Sequence, residues 1–252
     1  MTIPFELIGG IIMLDVSVNG KHGQMAFDTG AMQTCLNKNY FDFSGEQKEI
    51  SKFDGSVKTE TAAKFNCDIK CNEWIMPNTS VMMVDMDYVE KPLKGVKANL
   101  IFLGTIGIDM IRSHKVLIDY TTSHIILNAD EIKNSKTFKM AAVVLPIIDV
   151  CIEDEHYNFV LDTGANTCML DESFKNKGFK ELNGTANIIQ IPQLVALGHR
   201  YYDIIAVYAD MTAIKSKVDV SGIIGYQVLK ECISYFDFDS ETISVSQNNQ
   251  NW

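Results

Sequence analysis

The same acidic triplet, Asp-Thr-Gly, occurs twice in this chain, each time after an apolar run and each time followed by alanine. The residues of the two copies and of the alanines after them are Asp28, Thr29, Gly30, Ala31, Asp162, Thr163, Gly164 and Ala165. Two carboxylates that a fold brings together cannot both ionise cheaply, so one of them keeps a proton. Such a pair can act as an acid and a base at once, which suits the activation of water.

The elements around the triplets indicate that one structural unit is used twice. A single Asp-Thr-Gly is a weak signal, because Asp and Gly also favour ordinary turns after strands. Here each copy ends a predicted hairpin, and each half carries a later element of hydrophobic residue, glycine, short helix and a strand closing with Asp and an aromatic residue. These second elements contain Ile106, Gly107 and Asp119 in the first half and Ile224, Gly225 and Asp237 in the second. Repetition of this kind decides against chance.

With these elements matching in order, twice over, the chain resembles the aspartic peptidases, both the pepsin-like and the retroviral-type. The resemblance covers residues from about 11 to about 245, with Thr105 in a slot that is usually apolar. It implies an all-β fold of two pseudo-twofold-related β-barrel-like lobes with a few short helices. We expect the lobes to span 1–132 and 133–252, on either side of a polar linker at about 129–139.

The resemblance also implies roles for the repeated residues. Asp28 and Asp162 would be the catalytic pair, and the threonines of the two triplets would hydrogen-bond across the lobe interface. The glycines would let each loop turn tightly and offer N–H groups to the carboxylates. The expected supports beneath the loops are Ile106, Gly107, Ile224 and Gly225.

Two further turn signals fall where this family carries a flap, a β-hairpin that closes over the substrate. Asp-Gly and Asn-Gly are strong hairpin signals, because type I′ turns need positive φ. We expect substrate-binding residues there, although a plain surface hairpin explains either turn as well. The residues are Phe53, Asp54, Gly55 and Ser56 in the first half and Asn183 and Gly184 in the second. Two such hairpins favour the retroviral-type arrangement, and the pepsin-like flap tyrosine has no counterpart here.

The expected activity is hydrolysis of peptide bonds by a water activated between Asp28 and Asp162. The alternative is a catalytically silent peptide-binding module on the same fold. A glycosidase with paired acids predicts tryptophans near the site, and only Trp74 and Trp252 exist, neither close to a motif. Ala31 and Ala165 stand where many pepsin-like members have a hydroxyl residue. We therefore expect a raised pKa of the pair and an optimum in weak rather than strong acid.

The composition limits the partners of the chain. Its 252 residues carry a formal net charge of −10, which argues against nucleic acid as a partner. No apolar run reaches the roughly 18–20 residues that a membrane span needs. We expect a monomer that acts on a peptide or protein substrate without a cofactor. We also expect an exported protein (periplasmic, cell-surface or secreted) whose signal segment is missing from this sequence.

The six cysteines show no metal-ligand spacing with histidines. They are Cys35, Cys67, Cys71, Cys151, Cys168 and Cys232. Most are expected to be buried thiols, since free Cys packs as a small hydrophobe. A pairing of Cys67 with Cys71 stays open, and Cys35 and Cys168 follow the two triplets at nearly matching places. We expect no metal site.

Overall fold

The computed structural model describes residues 1–41, 46–51, 57–141, 144–182 and 184–247. Strands in its first half are β1 Thr2–Pro4, β2 Glu6–Ile8, β3 Ile11–Val18, β4 Lys21–Phe27, β5 Cys35–Asn37, β6 Glu46–Ser51, β7 Val57–Cys71, β8 Trp74–Val84, β9 Phe102–Ile106, β10 Val116–Asp119 and β11 His124–Leu127. Those of the second half are β12 Lys136–Lys139, β13 Ile147–Ile152, β14 Glu155–Leu161, β15 Cys168–Asp171, β16 Lys180–Leu182, β17 Thr185–Ala196, β18 His199–Ala209, β19 Gly222–Ile224, β20 Cys232–Asp237 and β21 Thr242–Gln247. The α-helices are α1 Asp87–Val96, α2 Ile108–Ile111, α3 Thr212–Lys215 and α4 Tyr226–Leu229, and 3-10 helices cover Lys38–Tyr40 and Glu172–Lys177.

Six strands of the first half close into a barrel. In sheet order they are β3, β4, β9, β5, β8 and β7, and a pairing of β3 with β7 returns the sheet to its start. In that closing pair Ser17 lies opposite Lys70, and Val18 lies opposite Ile69. The strands β2 and β6 extend the sheet beyond the barrel. A closed sheet of this size is filled by its own inward-facing side chains.

The second half repeats the same barrel strand for strand. Its sheet order is β13, β14, β19, β15, β18 and β17, and β13 pairs with β17 to close it, with Val150 opposite Ala196. Each of these strands has its counterpart at the same place in the first barrel. The structure therefore confirms the predicted all-β fold of two pseudo-twofold-related barrels with a few short helices.

A third sheet joins the two halves. Its order is β1, β11, β10, β20, β21 and β12, so the central pair takes one strand from each half. The linker predicted over 129–139 is wrong for its last part, because Lys136–Lys139 forms the edge strand β12. Lysines are typical of exposed sheet edges, where they hinder pairing with other chains. A polar, lysine-rich segment is also typical of a linker, so the sequence did not distinguish the edge strand from one.

The hairpins that lead to the triplets turn where the sequence predicts. Asn19 and Gly20 have φ of 48° and 84°, and Glu153 and Asp154 have φ of 53° and 63°. Positive φ at both central residues is the conformation of a type I′ turn, whose twist matches the flanking strands. The returning strands end in Phe27 and Leu161, which are both fully buried. Each aspartate therefore follows a strand that is fixed in the core.

One apolar core runs through both barrels and the shared sheet. It includes Phe27 and Val81 of the first barrel, Phe159 of the second, and Ile118 and Phe236 of the joining sheet. All of these side chains are almost completely removed from water. Because the core is continuous across the interface, the two halves pack as one body.

The sequence pattern did not predict α1, which contains Pro92 and shows few apolar positions. Asp87 and Glu90 lie in its first turn, where negative charge is favourable. Leu93 packs with Met86 and Phe102 in a second, smaller apolar cluster. Buried Glu90 accepts a hydrogen bond of 2.9 Å from Asn37. These tertiary contacts, rather than helix propensity, explain why the segment is helical.

Candidate active site

The strands beneath the triplets hold the two aspartates in equivalent places. β4 runs parallel to β9, and β14 runs parallel to β19. At the ends of these strands, the N–H of Asp28 donates to the carbonyl oxygen of Ile106 at 3.0 Å, and that of Asp162 donates to Ile224 at 2.9 Å. Both isoleucines are fully buried. The backbone at each aspartate is thus anchored to the barrel core.

The two threonines hydrogen-bond across the interface in a symmetric pattern. The N–H of Thr29 donates to Thr163 Oγ1, and the N–H of Thr163 donates to Thr29 Oγ1, both at 3.1 Å. Each hydroxyl in turn donates to a carbonyl oxygen of the other half, Leu161 or Phe27, at 2.6 Å. Both threonine side chains are buried, so these bonds are shielded from water. The four bonds tie the loops into one unit.

Glycine at the third place of each triplet allows the carboxyls to approach. A Cβ on Gly30 would lie 2.3 Å from Cγ of Asp162, and one on Gly164 would lie 2.3 Å from Cγ of Asp28. No side chain tolerates such contacts. Each glycine therefore makes room for the carboxyl of the other half, which is a use of glycine beyond turn formation.

The N–H groups that face the carboxyls differ between the two loops. Gly30 and Ala31 both donate to Asp28 Oδ1, at 2.9 and 2.8 Å. On the other loop Gly164 donates to Asp162 Oδ1 at 2.7 Å. The N–H of Ala165 is instead directed to the main-chain oxygen of Asp162 at 3.3 Å. The first loop thus directs two N–H groups to its own carboxyl and the second loop directs one, while the N–H of Gly30 also lowers the pKa of Asp162.

Burial raises the pKa of both carboxyls, because an ionised carboxylate loses its hydration inside the protein. The pKa of Asp162 rises well above its usual range, and after burial the main cause is the charge of Asp28. For Asp28 the hydrogen bond with Asp162 and the N–H groups of its own loop act against the rise in pKa. The two carboxyls therefore titrate as a unit.

A second layer of hydrogen bonds supports the loops, and here the halves differ again. Thr34 Oγ1 accepts the N–H of Gly107 at 3.0 Å and donates to Asp109 at 2.8 Å. At the equivalent place in the second half, the Cys168 sulfur accepts the N–H of Gly225. Sequence reasoning missed Thr34 and noted Cys35 and Cys168 at nearly matching places; the residue equivalent to Cys168 is Thr34. Counting from each aspartate would have found the pair.

The N-termini of the short helices complete the support. The N–H of Ile108 donates to the oxygen of Ala31 at 2.8 Å, and that of Tyr226 donates to Ala165 at 2.9 Å. These helices, α2 and α4, follow Gly107 and Gly225 directly. The structure therefore brings the predicted triplets, alanines, isoleucines and later glycines into one contiguous site.

Most predicted flap residues lie outside the described residues. This applies to Phe53, Asp54, Gly55, Ser56 and Asn183. The first four fall between β6 and β7, which pair from Ser51 opposite Val57 outward. Gly184 is exposed between β16 and β17, with φ of 65°. The two hairpins occupy equivalent places in the two halves.

The thiols and the candidate metal ligands give no second site. All six cysteines are free, and Cys67 and Cys71 are both buried on β7 without a bond between them. Within the described ranges, no group of His, Cys, Asp and Glu could hold a metal ion. Trp74, the first residue of β8, is buried against the His114 ring.

Two closed barrels, joined by a shared sheet and each contributing an aspartate loop to their interface, define the fold of the aspartic peptidases. Among solved structures, the chain is similar to an aspartic proteinase from Irpex lacteus, with a TM-score of 0.63. That likeness covers 99% of this chain and 97% of the other, at 11% identity, and so concerns the fold alone. No family model and no curated protein matches the chain. In the described part of the chain, no helix is long and apolar enough to cross a membrane.

Proposed function

We propose that this protein is an aspartic endopeptidase that hydrolyses peptide bonds with water activated between Asp28 and Asp162. The observation that carries the proposal is the contact of these two carboxyls, of which Asp162 is buried and Asp28 half-buried, and which hydrogen-bond to each other across the interface. An isolated buried carboxylate pair is costly to a fold. The symmetric network around it supports a functional rather than a structural reason for that cost.

The asymmetry of the site suggests a role for each acid. Asp28, with two N–H donors from its own loop, is the base. It takes a proton from the water as the water oxygen attacks the peptide carbonyl carbon. Asp162 gives its proton to the carbonyl oxygen, which yields a neutral tetrahedral diol. When the C–N bond breaks, Asp28 returns its proton to the leaving nitrogen and Asp162 recovers one from the diol. The dyad ends with the single proton it began with.

The organisation of the chain suits this role. We propose that 1–132 and 133–252 are the two lobes, and that the hairpins around Gly55 and Gly184 close over the substrate. Because one chain supplies both aspartates, a monomer is sufficient for the proposed site. The catalytic water would lie between the carboxyls, so a cofactor has no step to perform in this mechanism.

The test is cleavage of a mixed peptide library from weak to moderate acid by the wild type, Asp28→Asn and Asp162→Asn. We expect each substitution to reduce cleavage by a factor of about 10² or more, since it removes one partner of the acid–base pair. Asp149→Asn is the matched control, because Asp149 is an exposed carboxylate of the second barrel that contacts His156. The control should cleave at the wild-type rate, and the products would reveal the specificity.

Two outcomes would contradict the proposal. A folded wild type that cleaves nothing at any pH would favour the peptide-binding module. Cleavage that survives in both aspartate variants would mean that the activity arises elsewhere or from a contaminant. Inhibition by a transition-state mimic of peptide hydrolysis separates these cases, because the proposed site must bind it in the wild type.

A further inference from the structure

Two buried hydroxyls have no hydrogen-bond partner among the described residues, and one of them lies near the aspartates. They are Tyr120 Oη and Ser234 Oγ. A buried hydroxyl without a partner costs free energy, so native structures rarely leave one in place. Such an atom commonly binds a buried water or serves the site beside it. The surroundings of the two hydroxyls decide between them.

Tyr120 packs against the support of the second active-site loop. Its ring lies 5.7 Å from that of Phe5 at 74° and 5.6 Å from that of Tyr226 at 60°. Tyr226 is the first residue of α4, and its N–H holds the oxygen of Ala165. A residue of the first half thus reaches the back of the loop that carries the aspartate of the second half.

When Asp162 is ionised, its charge acts on the Tyr120 hydroxyl. After burial, that charge is the main cause of the raised pKa of Tyr120, and Tyr226 contributes less. The preceding residue, Asp119, is directed elsewhere, because its carboxylate accepts the N–H groups of Thr121 and Thr122. Asp162 is therefore the carboxylate whose field the hydroxyl experiences most strongly.

The second half shows that ring packing alone does not require a hydroxyl here. Phe238 follows Asp237 as Tyr120 follows Asp119, so the two aromatic residues are equivalent in the repeat. The Phe238 ring stacks on Phe236 at 5.9 Å and 17°. A phenylalanine fills this place without burying a polar atom. The hydroxyl of Tyr120 therefore needs a reason other than packing.

We propose that Tyr120 is a positioning residue for Asp162. In this proposal the Tyr120 hydroxyl binds a buried water, and that water hydrogen-bonds to the Asp162 loop. Donation towards the loop favours the ionised form of the pair, in the way that groups behind a catalytic residue commonly tune it. The proposed endopeptidase activity is needed for one of the readouts below, but the other reads the aspartates directly.

The test compares Tyr120→Phe with the wild type, and Ser234→Ala serves as the matched control. Each variant removes one unpartnered buried hydroxyl, and Ser234 lies in the middle of β20, opposite Ile118 of β10. Aspartate carboxyl carbons labelled with ¹³C are titrated by NMR. We expect Tyr120→Phe to raise the upper apparent pKa of the pair by about 0.5 to 1 unit, the worth of one hydrogen bond. Ser234→Ala should leave it unchanged.

The pH profile of peptide cleavage gives the second readout. The basic limb of kcat/KM should move to higher pH by the same amount in Tyr120→Phe, since that limb reports loss of the shared proton. If neither the wild type nor the variant cleaves peptides, the proposed function fails, and the ¹³C titration still tests Tyr120. Identical titrations in wild type and Tyr120→Phe would overturn the inference.

A crystal structure of the unsubstituted protein keeps the inference testable if Tyr120→Phe does not fold. At a resolution that shows ordered water, we expect one molecule within hydrogen-bond distance of Tyr120 Oη and of a polar atom in the Asp162 loop. A hydroxyl without such a water, or with a water that bonds only to groups away from the loop, would overturn the inference.

Discussion

The two active-site loops share one backbone template but differ in the polar groups that support them. In the first loop, two N–H groups face Asp28 and the Thr34 hydroxyl binds both Gly107 and Asp109. In the second, one N–H of the loop faces Asp162, and the Cys168 sulfur takes the place of the hydroxyl. The halves are therefore equivalent in geometry and unequal in their capacity to stabilise charge.

This difference teaches how a repeated unit can supply two chemical roles. Two aspartates in identical surroundings would share their proton equally. Here Asp28 receives two N–H groups from its own loop, and the pKa of Asp162 is raised well above its usual range by burial and by the charge of Asp28. Small differences in hydrogen bonding of this kind can bias a shared proton towards one carboxyl without disturbing the fold.

We expect the largest loss of stability when the threonine hydrogen bonds across the interface, in which the two halves are alike, are broken. Thr163→Val keeps the shape of the side chain but leaves the N–H of Thr29 and the oxygen of Phe27 without partners. We expect a loss of about 2–4 kcal/mol in the free energy of unfolding, because both groups stay buried. Chemical denaturation measures it.

The symmetric variant Thr29→Val should cost the same within error, since its bonds have the same lengths. Thr122→Val is the control, because Thr122 is exposed and its hydroxyl donates to the exposed side of Asp119 on the same turn. It should change stability by less than about 0.5 kcal/mol. Unequal losses in the two interface variants would show that the threonines are not equivalent.

A smaller effect should separate the halves. Thr34→Val removes the acceptor for Gly107 and the donor to Asp109, so we expect a loss of about 1–3 kcal/mol in unfolding free energy. Cys168→Val should cost less than about 1 kcal/mol, since a thiol is a weak acceptor. Denaturant unfolding of both variants measures the difference. If Thr34→Val and Cys168→Val lose the same unfolding free energy, Thr34 and Cys168 support their loops equally and do not distinguish the halves.

Much of this fold follows from the sequence, because the repeated motifs fix both barrels. The hairpins at Asn19 and at Glu153 are where their turn residues predict. The helix α1 could not be predicted, since it depends on contacts such as that of buried Glu90 with Asn37. The strand β12 was not predicted, because its lysines are as typical of a linker as of a sheet edge.

The site was predictable in its residues but not in its asymmetry. The triplets name the aspartates, threonines and glycines, and the repeat identifies the supports beneath them. Whether the N–H of Ala165 faces a carboxylate or a main-chain oxygen depends on small displacements of backbone atoms, which a sequence does not specify. Thr34 was missed because its role appears only when Gly107 and Asp109 are brought beside it in space.

The alanines after the triplets offer the smallest change that would sharpen the comparison. A serine hydroxyl at 31 or 165 can donate to the neighbouring carboxylate and lower the pKa of the pair. We expect Ala31→Ser to move the pH profile of cleavage about 0.5 to 1 unit towards acid, the worth of one hydrogen bond. Ala165→Ser should shift the pH profile in the same direction through Asp162. The shift should be smaller, because Ala165 is buried and leaves little room for the hydroxyl.

The control for these variants is Ala129→Ser, which lies in the segment after β11 and should leave the profile unchanged. The measurement is kcat/KM against pH with a single peptide. Maximal activity of the wild type in strong acid, together with no shift in Ala31→Ser, would contradict the expected role of the missing hydroxyls.

The central claim, a proton shared by two carboxyls in contact, can be tested without any substrate by following stability against pH. A carboxyl whose pKa is raised in the folded state stabilises the protein at low pH. That stability is lost as pH rises from the usual value of 3.8 for Asp towards the folded pKa. The side-chain amide introduced by Asp162→Asn would resemble the protonated acid and would not titrate.

The measurement is the free energy of unfolding from pH 4 to pH 7 for the wild type, Asp162→Asn and the exposed control Asp149→Asn. We predict that Asp162→Asn is the most stable at pH 7. Its advantage over the wild type should grow by up to about 1.4 kcal/mol per pH unit above the usual pKa of Asp. An Asp162→Asn variant that is no more stable than the wild type, with the same pH dependence, would contradict the shared proton.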